Sequence, residues 1–572
     1  MLWGNDSFSQ LANWQWAHCS TGSQGPEGSE QSNCGIATDR NGNVFCTGTF
    51  TTVTVGFGDY ILNRGGTQQS NGYLPYNFFL VKYDSLGKII WAKSAKIADT
   101  TYAIINPTGI ATDEDGNVLI TGELLGGNVE LDSILFPSGS RYFVAKYDNN
   151  GDVQWATSNK SDLQSIYSVA TDIIGNVYVT GQFTGLEKIT FGSDTLVSNV
   201  FANGSSLFVT KYSPTGQNLW ARGMTSIHQS QAEIFGGAIS TDIIGNAYVT
   251  GTIKSTDSIE LGNFVFPGPI NALYIVKYNI YGDIEWVRFS NSLGAISPQY
   301  GSSVEISAMS DFRDNAVYIT GGFYCDSISF GSKILYRDSG ANENFFLAKF
   351  DTSGTLIWIK SGSGGYSDIG YSVVNDIVGN IYLSGLLNGD SLIIDGDTLF
   401  KPVNGKDNMF IAKFSEDGSL LCHATLASGG NYNSINVDLE GDIYVGGTYG
   451  DQNPFIVGLD SLPQTLDYNF FIAKLNCSAL TTYNISLQEN SILQLHPNPF
   501  TTQAIVQYTL PNGSKNATLI IYDILGRERS SYQLNNADGE IAINASNLSS
   551  GLYLYSLVVD GRVVVTKKMV VE

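Results

Sequence analysis

Residues 171–181 read TDIIGNVYVTG and residues 207–220 read LFVTKYSPTGQNLW, and close variants of these two phrases alternate along most of the chain. The glycine that ends the first phrase recurs as Gly48, Gly122, Gly181, Gly251, Gly321, Gly385 and Gly447. The lysine of the second recurs as Lys82, Lys146, Lys211, Lys277, Lys349, Lys413 and Lys474. Successive glycines lie 59 to 74 residues apart, too far for one hairpin and about right for a four-stranded sheet with an elaborated loop. In the second copy the pattern predicts strand a over 109–113, strand b over 117–122, strand c over 142–148 and strand d over 153–158. The turns carry Gly116, Asn117 and Gly151, residues that supply positive φ or a local cap. Strand c is apolar on both faces, as in a sheet covered by a neighbour on each side.

Seven such sheets arranged radially predict an all-β, seven-bladed β-propeller. Strand d carries Trp91, Trp155, Trp220, Trp286 and Trp358, with Cys422 in that place in the sixth copy. The seventh copy stops after strand c, and its missing strand is expected from the other end of the chain, where NWQWAHCS sets Trp16 in the place of Trp91. Residues 13–20 should therefore pair with residues 469–475, bringing Trp16 to Phe470 and Phe471. Residues 1–12 read as a lead-in, 13–479 as the propeller, 480–492 as a polar linker, and 493–572 as a small Ig-like β-sandwich of short strands spaced by turns.

The DxxGNVYVTG and FVxKYDxxG phrases resemble the seven-bladed β-propeller repeat of secreted bacterial proteins, a likeness that implies fold more than activity. The last 80 residues resemble the type A carboxy-terminal sorting domain of cargo exported by the type IX secretion system of Bacteroidetes. The matching residues are Pro497, Asn498 and Pro499, then Tyr522, Asp523, Gly526 and Arg527, then Gly551 and Tyr553, and finally Lys567 and Lys568. That resemblance implies recognition by an outer-membrane translocon and a protein released or held at the cell surface. Such cargo first crosses the inner membrane with a signal peptide, and MLWGNDSFSQ lacks the basic region and apolar core of one.

The formal net charge of −23 lies almost wholly before Ile485, after which seven acidic residues face six basic ones. An acidic ring repels phosphate backbones, so nucleic acid is not an expected partner. No apolar stretch is long enough to cross a membrane as a helix. Six cysteines without a CxxC leave the pairing open; Cys34 and Cys46 flank the first hairpin and are one possible pair, buried thiols the other reading. Four scattered histidines do not suggest a metal cluster, and no cofactor is expected. The DxDGN of Asp113, Asp115 and Asn117 reads as a capped turn more readily than as a calcium loop.

The lysine in every strand c, matched by an aspartate ending strand a in most copies, reads as a structural pair. No catalytic phrase appears. The a-to-b and c-to-d turns are tight and share one face, while the b-to-c and d-to-a connections are long, varied and share the other; binding generally resides on such a face. Tyr73, Tyr76, Tyr300 and Tyr366 are its candidate ligand residues. The preferred reading is a binding or adhesion module for glycan or protein. Its alternatives are a polysaccharide-active enzyme with an acidic pocket at the ring's mouth, and a structural surface component.

Overall fold

The computed structural model describes residues 10–11, 13–22, 35–69, 72–98, 101–159, 163–184, 188–201, 204–228, 230, 232–293, 303–306, 316–338, 340–376, 378–402, 407–428, 434–451, 455–457, 460–463, 465–476, 493–510, 516–523, 528–559 and 562–571. Their regular structure is strand, with one short 3-10 turn over Ala545–Asn547. Chain contacts separate a first unit, Met1–Ile306 with Ala316–Asp376 and Asn380–Ala479, from a second that holds Leu480–Glu572 together with Ser307–Asn315 and Ile377–Gly379.

In the first unit each repeat forms an antiparallel sheet in the order a-b-c-d. The second repeat shows the pattern with Ala103–Thr112, Val118–Gly126, Tyr142–Tyr147 and Val153–Asn159. Strand a begins six residues before the start expected from sequence, because a register shift between Pro107 and Gly109 lets pairing continue through an irregular stretch. Strands b and c are buried on both faces. Those two strands therefore supply most of the apolar core, and most repeats contribute one cluster that also takes in side chains of the next.

The seventh sheet takes its d strand from the amino terminus. Asn13–Cys19 pairs antiparallel with Thr465–Asn476, with Trp16 opposite Lys474 and Cys19 opposite Phe471. The Ser20 N–H donates to the Phe470 carbonyl at 3.0 Å. The a strands pack in cyclic succession, and Ser434–Val437 lies against Gly35–Thr38. Threonine hydroxyls stitch this inner wall: Thr241 donates to the Thr171 carbonyl (2.7 Å), Thr171 to Thr112 (2.7 Å), Thr112 to Thr38 (2.6 Å) and Thr38 to Val437 (3.0 Å). Each bond contributes about 1 kcal/mol, and together they fix the stagger of one sheet on the next.

A hairpin interrupts the b-to-c connection of every repeat among the described residues, as at Thr54–Phe57 with Tyr60–Asn63. Several of these hairpins accept the chain that leaves strand d of the preceding repeat. Lys96–Ile97 pairs with Val129–Glu130, and Thr21–Gly22, following the closing strand, pairs with Val55–Gly56 of the first repeat. The amino-terminal segment thus joins first and last repeats at two places. Gln10–Leu11, read from sequence as part of a featureless lead-in, runs parallel to Cys422–His423.

In the second unit, Leu493–His496, Gln503–Thr509 and Asp538–Asn544 form one sheet, and Ala517–Asp523, Glu528–Leu534, Gly551–Val559 and Arg562–Val571 another. Both contribute side chains to one buried cluster that includes Val506, Leu519, Ile521, Leu557 and Met569.

Candidate functional site

The most regular polar residues of the first unit build its scaffold. Asp172 ends strand a and accepts the N–H groups of Ile174 (3.1 Å) and Asn176 (2.9 Å), the Asn176 amide (2.7 Å) and the Tyr178 hydroxyl (2.9 Å). Lys211 of strand c lies 3.6 Å from the same carboxylate and 4.7 Å above the Tyr178 ring. It also donates to the Ile280 carbonyl of the next repeat, which the Trp220 indole reaches at 3.1 Å. Lys146 with Trp155 on Pro214, Lys277 with Trp286 on Thr352, and Lys349 with Trp358 on Glu416 repeat the arrangement. Burial lowers the pKa of Lys82, Lys211 and Lys413, while the facing aspartates Asp39, Asp172 and Asp376 oppose that shift. These lysines are anchored cations rather than an open anion site.

Asp113 accepts from the Asp115 and Asn117 backbone and the Asn117 amide, and pairs with Lys146 at 2.7 Å. The DxDGN segment is thus a turn whose carboxylate is fully engaged. Among the described residues no three His, Cys, Asp or Glu side chains cluster as metal ligands. Cys46 is buried, Cys34 lies outside the described residues, and Cys422 is disulfide-bonded. A position deep in strand b and walled by Ile36, Val44 and Val81 explains why Cys46 behaves as an apolar residue.

On the face that carries the long connections, Tyr73 is 65% and Tyr366 59% exposed. Tyr76 is half-buried, and Tyr300 lies outside the described residues. Tyr73 and Tyr76 stand near Tyr102, whose hydroxyl pKa is raised by burial and by those two phenols. Tyr366 belongs to the connection between the fifth and sixth repeats and is not part of that group. In the first repeat a cavity of about 660 Å³ runs along the hairpin, lined by Val53, Ile61, Arg64 and Lys96 among others.

Sequence reading missed a pair of carboxyl groups. Glu343, just before strand c of the fifth repeat, and Asp368, the first residue of strand a in the sixth, are 1% and 2% exposed. The Asp368 N–H donates to the Glu343 carbonyl at 3.1 Å. Asp368 Oδ1 has no hydrogen-bond partner. Burial pushes each up to about 7; the Tyr324 hydroxyl and the Asn388 N–H offset this in part, and Asp368 raises Glu343 further. The equivalent backbone positions between the first and second repeats hold Tyr76 and Ile105, joined by the same N–H to carbonyl bond at 3.1 Å. The residue before the NFF of strand c, Tyr76 in one copy and Glu343 in another, was the available signal.

In the second unit, Pro497, Asn498 and Pro499 are exposed, and Asn498 ties this turn to the last strand. Its amide donates to the Lys568 carbonyl (3.0 Å) and accepts from the Val570 N–H (2.8 Å). Asp523 is bridged by Arg529 at 2.6 Å, and the Tyr553 hydroxyl donates to the Ser549 carbonyl at 2.9 Å. Tyr522 lies beside Asp523 in the same strand, Gly551 opens the strand that contains Tyr553, and Lys567 is exposed on the final strand. Gly526 and Arg527 lie outside the described residues. Residues from both ends of the signal-like tail are thereby brought into hydrogen-bonding contact.

Residues 494–572 match the family model of the secretion system C-terminal sorting domain. This match supports an interaction with the type IX secretion system and a secreted or cell-surface protein. No helix of the described residues is long and apolar enough to cross a membrane. Over 438 residues, 65% of its length, the chain is 24% identical to an uncharacterized WD repeat-containing protein of Acanthamoeba polyphaga mimivirus, and the chain spans 31% of that relative. That similarity fits a repeat protein of propeller type. Among solved structures, the chain is similar to a protein of unknown function from Dyadobacter fermentans (11% identity, 80% of this chain and 99% of that one, TM-score 0.32). It is also similar to the polysaccharide lyase Uly1 (9% identity, 78% and 90%, TM-score 0.37).

Proposed function

We propose that residues 13–479 form a seven-bladed β-propeller closed by its amino-terminal strand, and that it serves as an exported or cell-surface binding module. The type IX secretion system of a Bacteroidetes cell delivers it through an Ig-like domain at residues 493–572, with 480–492 as the linker. Its ligand, a glycan or a protein, sits on the face of long connections. The observation that carries this reading is the sorting-domain match joined to a repeat scaffold whose regular polar residues are used up internally, leaving variation to one face. Tyr73 and Tyr366 support it as exposed aromatic side chains on that face. The enzyme reading needs carboxylates that reach a polysaccharide, and Glu343 and Asp368 are enclosed.

The test is a glycan array and a pull-down on native cell surfaces with the full chain, repeated with Tyr73→Ala and Tyr366→Ala. Binding that drops at least about tenfold in either variant, roughly 1.4 kcal/mol, is the expected result. Turnover of a polysaccharide by the purified protein would replace this reading with the enzymatic one. Self-assembly without any ligand would replace it with the structural one.

A further inference from the structure

Five repeats clamp themselves to the next in one way. The strand d tryptophan lies opposite the strand c lysine of its own sheet, as Trp91 does with Lys82 and Trp220 with Lys211. Its indole N–H donates to the carbonyl of the third residue beyond the strand c lysine of the following repeat. Trp91 reaches Asn149 at 3.1 Å, Trp155 Pro214 at 2.9 Å and Trp220 Ile280 at 3.1 Å. Trp286 reaches Thr352 at 2.8 Å and Trp358 Glu416 at 3.2 Å. The sixth repeat keeps this register and changes the residue, since Cys422 lies opposite Lys413. The third residue beyond Lys474 of the seventh repeat is Cys477.

Cys422 is disulfide-bonded and buried. It shares an apolar cluster with Ile435, Ile443 and Leu475 of the seventh repeat, and Leu475 stands two residues before Cys477. Cys19 and Cys325 are thiols. The remaining two cysteines belong elsewhere. Cys46 pairs with Ile36 and Val81 inside the first sheet, and Cys34 immediately precedes strand a of that sheet in sequence. Ser434–Val437 of the seventh repeat packs against both Asp368–Asn375 of the sixth and Gly35–Thr38 of the first, so a whole sheet separates the two. Within one sheet the step from strand a to strand d is already about 14 Å, against the roughly 7 Å between Cα atoms that a disulfide can span.

We propose that Cys422 and Cys477 are joined as a disulfide, a covalent replacement for the tryptophan clamp that fastens the exit of the repeat unit to its sixth sheet. The position explains the exchange of chemistry. In the other repeats the clamped carbonyl belongs to a tight turn that leads into strand d. Strand d of the seventh sheet is instead Asn13–Cys19, and the chain beyond Asn476 continues towards the segment that matches the sorting-domain model. A sulfur–sulfur bond needs no turn to hold it. A pull on the carboxy-terminal segment then reaches the sixth sheet through sulfur before it can peel Thr465–Asn476 from Asn13–Cys19. Forming the bond takes two protons and two electrons from the two thiols. A protein or small-molecule disulfide accepts them by thiol exchange and becomes a dithiol, as happens in oxidising compartments such as the bacterial periplasm.

The test is non-reducing peptide mapping of the full chain after export into an oxidising compartment, with thiols alkylated first. The expected product is one cross-linked pair of peptides that holds Cys422 and Cys477 and separates on reduction. A link from Cys422 to any other cysteine, or an alkylated Cys422, overturns the pairing. The locking role is read by hydrogen exchange with and without reductant in the wild type, Cys477→Ser and Cys34→Ser. The bond closes a loop of about 55 residues, and the chain-entropy account sets the ceiling of its effect on the opening equilibrium at about a thousandfold. Reduction of the wild type should speed exchange in Thr465–Asn476 and Asn13–Cys19 at least about tenfold, with Val118–Gly126 of the second repeat unchanged. Cys477→Ser should exchange fast with or without reductant, and Cys34→Ser should behave as wild type. Exchange in the two closing strands that ignores the reductant overturns the lock. Should Cys477→Ser fail to fold, the peptide map and the wild-type response to reductant still decide.

Discussion

Replacing Asp172 by alanine and Lys211 by methionine should have very unequal effects, although the two residues face one another. Asp172→Ala strands the Ile174 and Asn176 N–H groups in a tight, buried turn and leaves the Lys211 ammonium facing no carboxylate. An unsatisfied buried polar group costs about 1–3 kcal/mol, and a buried ion left by its partner about 3–5 kcal/mol. With partial relaxation the loss should be about 4–6 kcal/mol, a large share of the usual stability of a domain. Lys211→Met keeps the aliphatic stem against the Tyr178 ring and forfeits the long 3.4 Å bond to the Ile280 carbonyl. Asp172 retains its four other donors. Burial already disfavours the ammonium, as its lowered pKa shows, so the expected loss is about 1–2 kcal/mol. Equilibrium urea unfolding of the full chain, followed by tryptophan fluorescence, measures both. Equal losses, or a larger one for the methionine variant, would refute the view that the aspartate is the hub and the lysine its compensating charge.

Trp16→Ala should cost about 3–5 kcal/mol, because its ring packs with Tyr83 (6.4 Å), Tyr444 (6.0 Å) and the Gly87 backbone in place of a strand d tryptophan. Thermal melting checks this, and a change within the error of a surface substitution would contradict the closing role. Asn498→Ala removes both bonds to the last strand of the carboxy-terminal unit. The expected loss is about 1–2 kcal/mol, with faster exchange at the Val570 N–H and no change in the repeat unit.

The repeating sheets were legible because every copy restates the same strand and turn chemistry, and the lack of a strand d in the seventh copy pointed to Trp16. The lysine and aspartate partnership was legible for the same reason. Its reach was not: that Trp220 and Lys211 bond a carbonyl of the following repeat depends on how two sheets stack, which no spacing within one copy encodes. Trp16 departs from its copies here, since its indole N–H has no partner while Lys474 takes the Ser85 carbonyl. The acid pair escaped notice because Glu343 and Asp368 belong to different repeats and irregular connections. Their burial appears only when Tyr76 and Ile105 are seen in the same places. Tyr73 and Tyr366 were offered from sequence as candidates on one face, and they lie on connections of different repeats.

Synthesis runs from the amino to the carboxy end, so Asn13–Cys19 is made long before its partner strand Thr465–Asn476 and must wait for it. Until then the chain holds an unfinished arc with an open flank at each extremity, and exposed flanks of this kind invite pairing with foreign strands. The interval before closure is therefore when a chaperone has most to protect, and a shortened nascent chain ending before residue 465 should be the species that aggregates.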